Sequence, residues 1–521
     1  LGQIVMRGLG ADFAGIKVSI SQFYGIEIND FAVTVAKTAL WIAESQMMKE
    51  TESIVLMHLD FLPLKTNANI TEGNALRIDW ENIVPKNELS YIMGNPPFIG
   101  YSLQTKEQKE DILSIYVDEN GKPYKTAGKV DYVAGWYFKA AQLMQNTVIQ
   151  TAFVSTNSIT QGEQVAAVWK PLYERFHIHI DFAHRTFIWD SEASQKAHVH
   201  CVIVGFSTKL NTKERVLYSS DRFQIVDNIN AYLVNAPDIF VESNKKPICD
   251  VPEMVKGSSP VDGGNFFLDQ EEYNLFSEKE PQSLKYIKQF FGAREYLHNI
   301  PRWCLWLIHI SPSELLKMPL VKERVDAVKN FRLSSTKKAT RKYAEFPLRF
   351  MELRQPETNY ILIPRHSSEN RRYIPFGFVN SDIICGDANN MIPNATLYQF
   401  GVLTSNVHMA WMRTVCGRIK SDYRYSNDIV YNNFPWPTPS VQQKQKIEQT
   451  AKAILDARLL YPDSSLADLY DEVAMPPELR KAHQNNDRVV MQAYGFSVKD
   501  MTESMCVAEL MKLYQEKLNN N

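Results

Sequence analysis

From Gln22 to Phe206 the chain alternates short β-branched or aromatic runs with stretches whose apolar residues recur every three or four positions. Few folds accommodate that alternation. Parallel strands need long crossover connections, usually helical, so the pattern implies a mostly parallel sheet flanked by helices. Gln22–Glu27 reads as a short strand with an apolar, aromatic core. Asn29 or Asp30 can cap the next helix by accepting from its free backbone N–H groups. Val33, Ala36, Leu40 and Ala43 share one face of that helix. Ile54–Met57, Ser90–Gly94, Thr151–Ser155 and His198–Phe206 read as further strands, and Asp131 as the cap of a helix running through Met144.

The character changes near residue 245. Residues 250–435 hold Pro-punctuated short strands and many aromatics, and a basic block lies inside: over 331–372, ten Lys/Arg face four Glu, a net of +6. The whole chain, by contrast, has 57 Lys+Arg against 59 Asp+Glu, a net of −2. That balance excludes a wholly basic nucleic-acid coat but leaves room for a local basic surface. Phe434-Pro435-Trp436-Pro437-Thr438-Pro439 reads as a rigid linker. Beyond it Ile447, Ala451, Ile454 and Leu455 take helical spacing, and the tail looks all-helical and close to neutral, with ten Lys/Arg and twelve Asp/Glu over 441–521.

At 521 residues, and about 150 per domain, three domains are expected: 1–245, 246–437 and 438–521. No apolar run approaches the roughly 18 residues of a membrane span. The six cysteines are scattered without a Cys-x-x-Cys pair, which indicates neither a zinc knuckle nor a disulfide framework and suits a reducing cytoplasm. The chain opens Leu1-Gly2-Gln3, with neither Met nor signal peptide, and reads as a fragment whose natural start lies upstream.

The sharpest motif is Gly94-Asn95-Pro96-Pro97-Phe98, directly after a strand. The C-terminal end of a strand is where open α/β sheets bind ligands. The alternative is a Pro-rich turn that merely closes the strand. Neither a Gly-x-Ser-x-Gly elbow nor a Gly-x-x-x-x-Gly-Lys phosphate loop is present. His198 and His200 lie two apart on a strand without an accompanying Cys/His cluster, so strand packing is expected and no metal site.

With the flanking segments FYGIEIND, GNALRIDW, DYVAGWYFKAA, FVSTNSITQGEQV and AHVHCVIVGF, the chain resembles the amino-methylating DNA methyltransferases that use S-adenosylmethionine. Residue order points to the N6-adenine group. SSENRRYIPFGF and RIKSDYRYSNDIVYNNFPWP resemble its MmeI-like branch, where methyltransferase and target recognition share one chain, often with an N-terminal nuclease. The resemblance implies a Rossmann-like class I methyltransferase fold, a mixed α/β target recognition domain and a C-terminal helical domain. It implies a double-stranded DNA substrate within a restriction–modification or related defence system.

Glu27 and Ile28 would then close the strand that holds the cofactor ribose, and Asn74 and Ala75 would form the next cofactor-side element. Asn74 departs from the Asp more usual in the family. The family's Gly-rich cofactor loop is not recognisable in Leu1–Ser21, where Gly8, Gly10 and Gly15 are a weak signal, so that half of the cofactor site is expected upstream of residue 1. Asn95, Pro96, Pro97 and Phe98 carry the chemistry. The adenine amine is a poor nucleophile stacked inside the duplex, so the base must be flipped out. Asn95 Oδ1 and the Pro96 carbonyl can both accept from the amine and favour a pyramidal nitrogen, and the adjacent prolines keep these acceptors in place. Phe98 offers a ring face for stacking. Tyr101, Asp131 and Trp136 can line this pocket or serve as strand edge, helix cap and core aromatic. Cytosine N4 or another amine fits the same tetrapeptide, and a catalytically silent DNA-binding specificity subunit is the rival from a different class.

For DNA, Lys337, Lys338, Arg341, Lys342, Arg365, Arg371 and Arg372 suit phosphate contacts and groove readout, the alternative being a solvated charged face. Arg418, Lys420, Asp422, Tyr423, Arg424 and Tyr425 form a second basic-aromatic group, which the MmeI-like pattern turns toward DNA or the cleft. Glu369 and Arg371 would share a face on an extended segment and could read the two halves of a C·G pair; a surface ion pair is the alternative.

Overall fold

The computed structural model describes residues 18–55, 68–189, 199–208, 214–220 and 222–520. The expectations for Gly8, Gly10 and Gly15 and for His198 lie outside these residues. The chain divides into two units. The first runs to Thr156 and takes in Ala167–His184 and Val202–Glu214.

In the first unit β1 (Tyr24–Glu27) pairs in parallel with β2 (Asn69–Glu72), Tyr24 opposite Asn69 and Glu27 opposite Glu72. Between them α1 (Asp30–Val55) is capped by Asn29, whose Oδ1 accepts from the amides of Phe31 (2.9 Å) and Ala32 (3.2 Å). Val33 is buried, Ala36 and Leu40 half-buried, but Ala43 is exposed. Ile54 and Val55 end this helix instead of opening a strand; Leu56 and Met57 lie outside the described residues. A four-residue apolar run does not by itself distinguish strand from helix, and a capped helix propagates through it.

The motif strand is β3 (Tyr91–Gly94), parallel to β4 (Gln150–Thr156) with Tyr91 opposite Gln150 and Gly94 opposite Phe153. With β5 (His179–Trp189) and β6 (Val199–Ser207) the order is β3-β4-β6-β5. Between β3 and β4 lie α2 (Lys106–Ile115), closed by a Thr105–Gln108 capping box, and α3 (Ala134–Leu143). The cap position of α3 is Val133, which makes no side-chain capping bond, and Asp131 Oδ1 accepts from the Tyr101 amide of the loop after β3. An aromatic cluster forms the core: the Tyr137 ring stacks on Phe206 at 5.3 Å and meets Phe153 and Trp169 edge-on at 5.2 Å.

The second unit carries the hairpin of β7 (Arg215–Ser219) and β8 (Arg222–Val226) and three further sheets. Their strands are β9 (Val255–Lys256), β10 (Phe267–Leu268), β11 (Ile287–Phe291), β12 (Trp303–Leu305), β13 (Tyr360–Pro364), β14 (His366–Ser367), β15 (Gly377–Val379), β16 (Ile384–Cys385), β17 (Asn389–Pro393), β18 (Gly417–Ile419) and β19 (Asp422–Arg424). The orders are β15-β13-β17-β9, β10-β12-β11-β16 and β14-β19-β18. Every residue of β13 is buried, which is why its sequence shows a continuous apolar run and no alternation. Helices α4 (Pro319–Leu333), α5 (Lys338–Lys342) and α6 (Asn406–Val415) belong to this unit, as does the helical tail of α7 (Val441–Leu459), α8 (Pro477–Ala493) and α9 (Glu503–Asn519). Ile447, Ala451 and Ile454 are buried, whereas Leu455 is only half-buried. Asn486 on α8 donates to the Gly401 carbonyl (2.7 Å) and accepts from Thr450 on α7 (2.9 Å).

The expected linker proves to be an internal strap. Phe434, Pro435, Trp436 and Pro437 are buried, with Phe434 edge-on to His408 at 4.5 Å and the Tyr494 hydroxyl donating to the Pro435 carbonyl at 2.9 Å. The prolines make the segment stiff, and its two aromatics draw it inside.

Candidate functional site

The motif loop leaves β3 at Gly94 and is fastened at once. The Ile99 amide donates to the Pro97 carbonyl (3.2 Å), the Tyr132 amide to the Ile99 carbonyl (2.9 Å), the Tyr101 amide to Asp131 Oδ1 (2.9 Å), and the Gln104 side chain to the Val130 carbonyl (2.9 Å). Asn95 is exposed, Pro96 buried and Phe98 half-buried. The loop is thus held largely through its backbone, and the Asn95 side chain stands clear of that framework.

A second loop closes β2. The Gly73 amide donates to the Glu27 carbonyl at 2.7 Å, tying this turn to the end of β1. Gly73 takes φ +150°, a conformation other residues rarely adopt, and a Cβ there would also lie 2.4 Å from Ile78 Cδ1, so the turn favours glycine. Asn74 Oδ1 accepts from the Leu76 amide and its Nδ2 donates to Asp111 Oδ2, both at 2.9 Å. Trp80 Nε1 donates to the Ala75 carbonyl at 2.9 Å. Lys139 Nζ donates to the carbonyls of Leu76 and Ile78. Burial lowers its pKa to about 8.

Between the two loops lies a cavity of about 1330 Å³. Glu27, Ile28, Asn74, Ala75, Asn95, Pro96 and Pro97 line it, so the two groups expected from sequence meet in one space. Trp136 also lines it; Phe98, Tyr101 and Asp131 do not figure in its lining. Asp111, Arg77, Tyr132 and Trp80 do, and sequence reasoning missed them. Asp111 had a signal: it falls beside Ile112 on the buried stripe of α2, and a carboxylate on an apolar face is informative.

The donor set fits an adenosine-bearing cofactor. Glu27 offers an exposed carboxylate at a strand end, suited to paired ribose hydroxyls, and the walls are largely apolar and aromatic, as small-molecule sites are. Asn74 fits with less freedom: its NH₂ is engaged, and its oxygen keeps one lone pair beyond the bond from Leu76. Among the described residues no group of three or more His, Cys, Asp or Glu is placed to hold a metal.

In the second unit the DNA candidates separate into two sets. Arg365, Glu369, Arg371, Arg372, Arg418, Lys420, Tyr423 and Arg424 gather on the β14-β19-β18 sheet and its adjoining turns. His366 pairs with Arg424 and Ser367 with Tyr423, the Glu369 amide donates to Asp422 Oδ1 (3.3 Å), and Arg418 lies 3.8 Å from the Glu369 carboxylate. Glu369 and Asn370 form a turn and not an extended segment, so the period-two argument for Glu369 and Arg371 does not apply. Both nevertheless line one cavity of about 470 Å³, with Arg372, Arg413 and Glu503. Lys420 is exposed at the hairpin tip with φ +58°, whereas Tyr423 and Tyr425 are buried, Tyr423 beneath the Arg418 guanidinium at 4.4 Å.

Lys337, Lys338 and Arg341 form the other set, exposed around α5. Arg341 braces the turn before α5 by donating to the Ser335 (2.7 Å) and Thr336 (2.8 Å) carbonyls. One cation of the basic block is not surface at all. Arg332 is fully buried and donates to five carbonyls, those of Val261, Tyr343, Phe346, Pro260 and Arg349.

Three family descriptions match consecutive parts of the chain: the MmeI DNA-methyltransferase domain over residues 3–219, the MmeI target recognition domain over 235–438 and the MmeI C-terminal domain over 440–520. A solved structure of the type IIL restriction-modification enzyme MmeI in complex with DNA superposes with a TM-score of 0.88 and 43% identity, covering 99% of this chain and 70% of the other. DNA methyltransferase A of Bacillus subtilis (strain 168) is 40% identical over 96% of the chain, which spans 56% of that relative's length.

Proposed function

This chain belongs to the MmeI family, and from that premise we propose that it is the methyltransferase and target-recognition part of a site-specific DNA methyltransferase. It transfers the methyl group of S-adenosylmethionine to N6 of adenine in double-stranded DNA, within a cytoplasmic restriction–modification or related defence system. In this reading residues 1–245 catalyse, 246–437 recognise the target and 438–521 brace the recognition part, and a nuclease can accompany them on the native chain. The observation that carries it is the single cavity shared by Glu27, Ile28, Asn74, Ala75 and the Asn95–Pro97 loop.

Glu27 would hold the ribose hydroxyls and the Asn74–Ala75 turn the adenine end of the cofactor, which supplies an electrophilic methyl group when bound. Asn95 Oδ1 and the Pro96 carbonyl accept from the target amine, which localises its lone pair for attack. The Tyr132 amide holding the Ile99 carbonyl and the Asp131 carboxylate holding the Tyr101 amide steady the loop just beyond these acceptors before the substrate arrives. Phe98, half-buried and outside the cavity lining, offers a ring face for stacking on the flipped base. Mass spectrometry of nucleosides from cells expressing the native full-length protein tests the reading. N6-methyladenine is expected. N4-methylcytosine would move the target to another amine, and no methylated base alongside intact DNA binding would favour a silent specificity subunit.

A further inference from the structure

We propose that Asp111, acting through Tyr132 and Asn74, is the positioning residue that sets the amine-side loop against the cofactor-side loop; this inference rests on the methyltransferase reading. Asp111 is 4% exposed, and an isolated carboxylate so placed would be costly. Three donors satisfy it. Its Oδ2 accepts from Asn74 Nδ2 and from the Tyr132 hydroxyl, each at 2.9 Å, and its Oδ1 from Arg77 Nε at 2.6 Å.

What the donors carry gives the cluster its meaning. Asn74 and Arg77 belong to the turn after β2. Tyr132 uses its backbone amide to hold the Ile99 carbonyl, and its neighbour Asp131 holds the Tyr101 amide. One carboxylate therefore reaches both walls of the cavity through side chains that are themselves fixed. The geometry also favours an amide at position 74. A carboxylate there would stand about 2.9 Å from Asp111, and like charges that close do not both ionise. An amide donates to Asp111 and leaves its oxygen for the Leu76 amide.

The test is made in the native full-length protein with cognate DNA. Tyr132→Phe removes one hydroxyl and keeps the ring; kcat should fall roughly tenfold with the cofactor KM within about twofold, the scale of one bond to a charged group. Asn74→Asp should raise the cofactor KM at least about tenfold, and the reciprocal pair Asn74→Asp with Asp111→Asn should recover most of that loss because donor and acceptor are merely exchanged. Hydrogen exchange gives a readout independent of turnover: Asp111→Asn should speed exchange of both the Leu76 and Tyr101 amides while thermal melting shows a folded protein. Acceleration at Leu76 alone, or a reciprocal pair no better than Asn74→Asp, overturns the bridge. If the wild-type protein transfers no methyl group, the methyltransferase reading fails, and the exchange experiment still decides whether Asp111 couples the two loops.

Discussion

The loop Asn95–Tyr101 and the turn Glu369–Arg372 were both singled out by sequence, yet they present their side chains differently. The first is fixed by prolines, by bonds to backbone groups of Pro97, Ile99 and Tyr101 and by the Gln104 side chain, with its chemical group, Asn95, left projecting. The second is held by the Arg371 amide on the Ser368 carbonyl (3.2 Å), the Asn370 amide on Ser368 Oγ (3.3 Å), the Glu369 amide on Asp422 Oδ1 (3.3 Å) and the Arg413 guanidinium on the Arg372 carbonyl (3.1 Å), and its Glu369 carboxylate adds an ion pair with Arg418 stretched to 3.8 Å. Two partly exposed charges at that distance contribute little, under about 1 kcal/mol. The difference matches what each region is asked to do in the proposed reaction. Methyl transfer needs acceptors preorganised to within a fraction of an ångström. Target reading needs side chains that can be exchanged without disturbing the fold, and a turn on a small sheet supplies them.

That contrast predicts where substitution is destructive. Arg332 anchors the framework of the basic block through five carbonyls. Arg332→Met strands those acceptors in a buried site and should cost about 3–5 kcal/mol of stability, read by urea denaturation. A loss under about 1 kcal/mol would mean that water already serves the carbonyls. A smaller effect is expected at the turn. The pair Glu369→Lys with Arg371→Asp should change the methylated motif at one position and weaken the old site by roughly 1–3 kcal/mol for each base no longer read, with the fold unchanged. Because Arg418 faces Glu369, the swap should work better with Arg418→Gln added, which removes a like-charge clash. An unaltered motif in methylome sequencing would remove Glu369 and Arg371 from the readers and leave their charges as surface chemistry. The smallest effect belongs to α5: Lys337→Ala with Lys338→Ala should weaken DNA binding uniformly across sequences and reduce the salt slope by about one for each phosphate no longer neutralised. An unchanged slope would assign these lysines to a solvated face.

These regions also differ in how much of them could be read from the chain. β3 and its loop were legible because all the determinants are local: a strand, a glycine and two prolines in succession. Glu27 and Asn29 were legible for the same reason, as a strand end and a helix cap. What sequence could not supply was the use of a group by a distant partner. Asp131 looks like a cap from its neighbours alone, and its carboxylate holds the Tyr101 amide thirty residues away. Arg332 counts as one more cation in a basic block until the fold surrounds it with carbonyls. Ile54 and Val55 look like a strand and end a helix. The Phe434–Pro439 segment has the stiffness of a linker, but the burial of Phe434–Pro437 involves His408 and Tyr494, which no local pattern announces. The gathering of residues 365–372 with 418–424 follows from the pairing of β14 with β19, a long-range event of the same kind.

In the proposed reaction Asn95, placed at the cavity by a backbone-held loop, activates an amine of DNA. Single-turnover methyl transfer from labelled S-adenosylmethionine to cognate DNA, comparing wild type with Asn95→Ala in the native full-length protein, tests it most directly. The transfer rate should fall roughly 10²–10³-fold, with DNA affinity within a few-fold of wild type. A variant that transfers at a near-normal rate would contradict it.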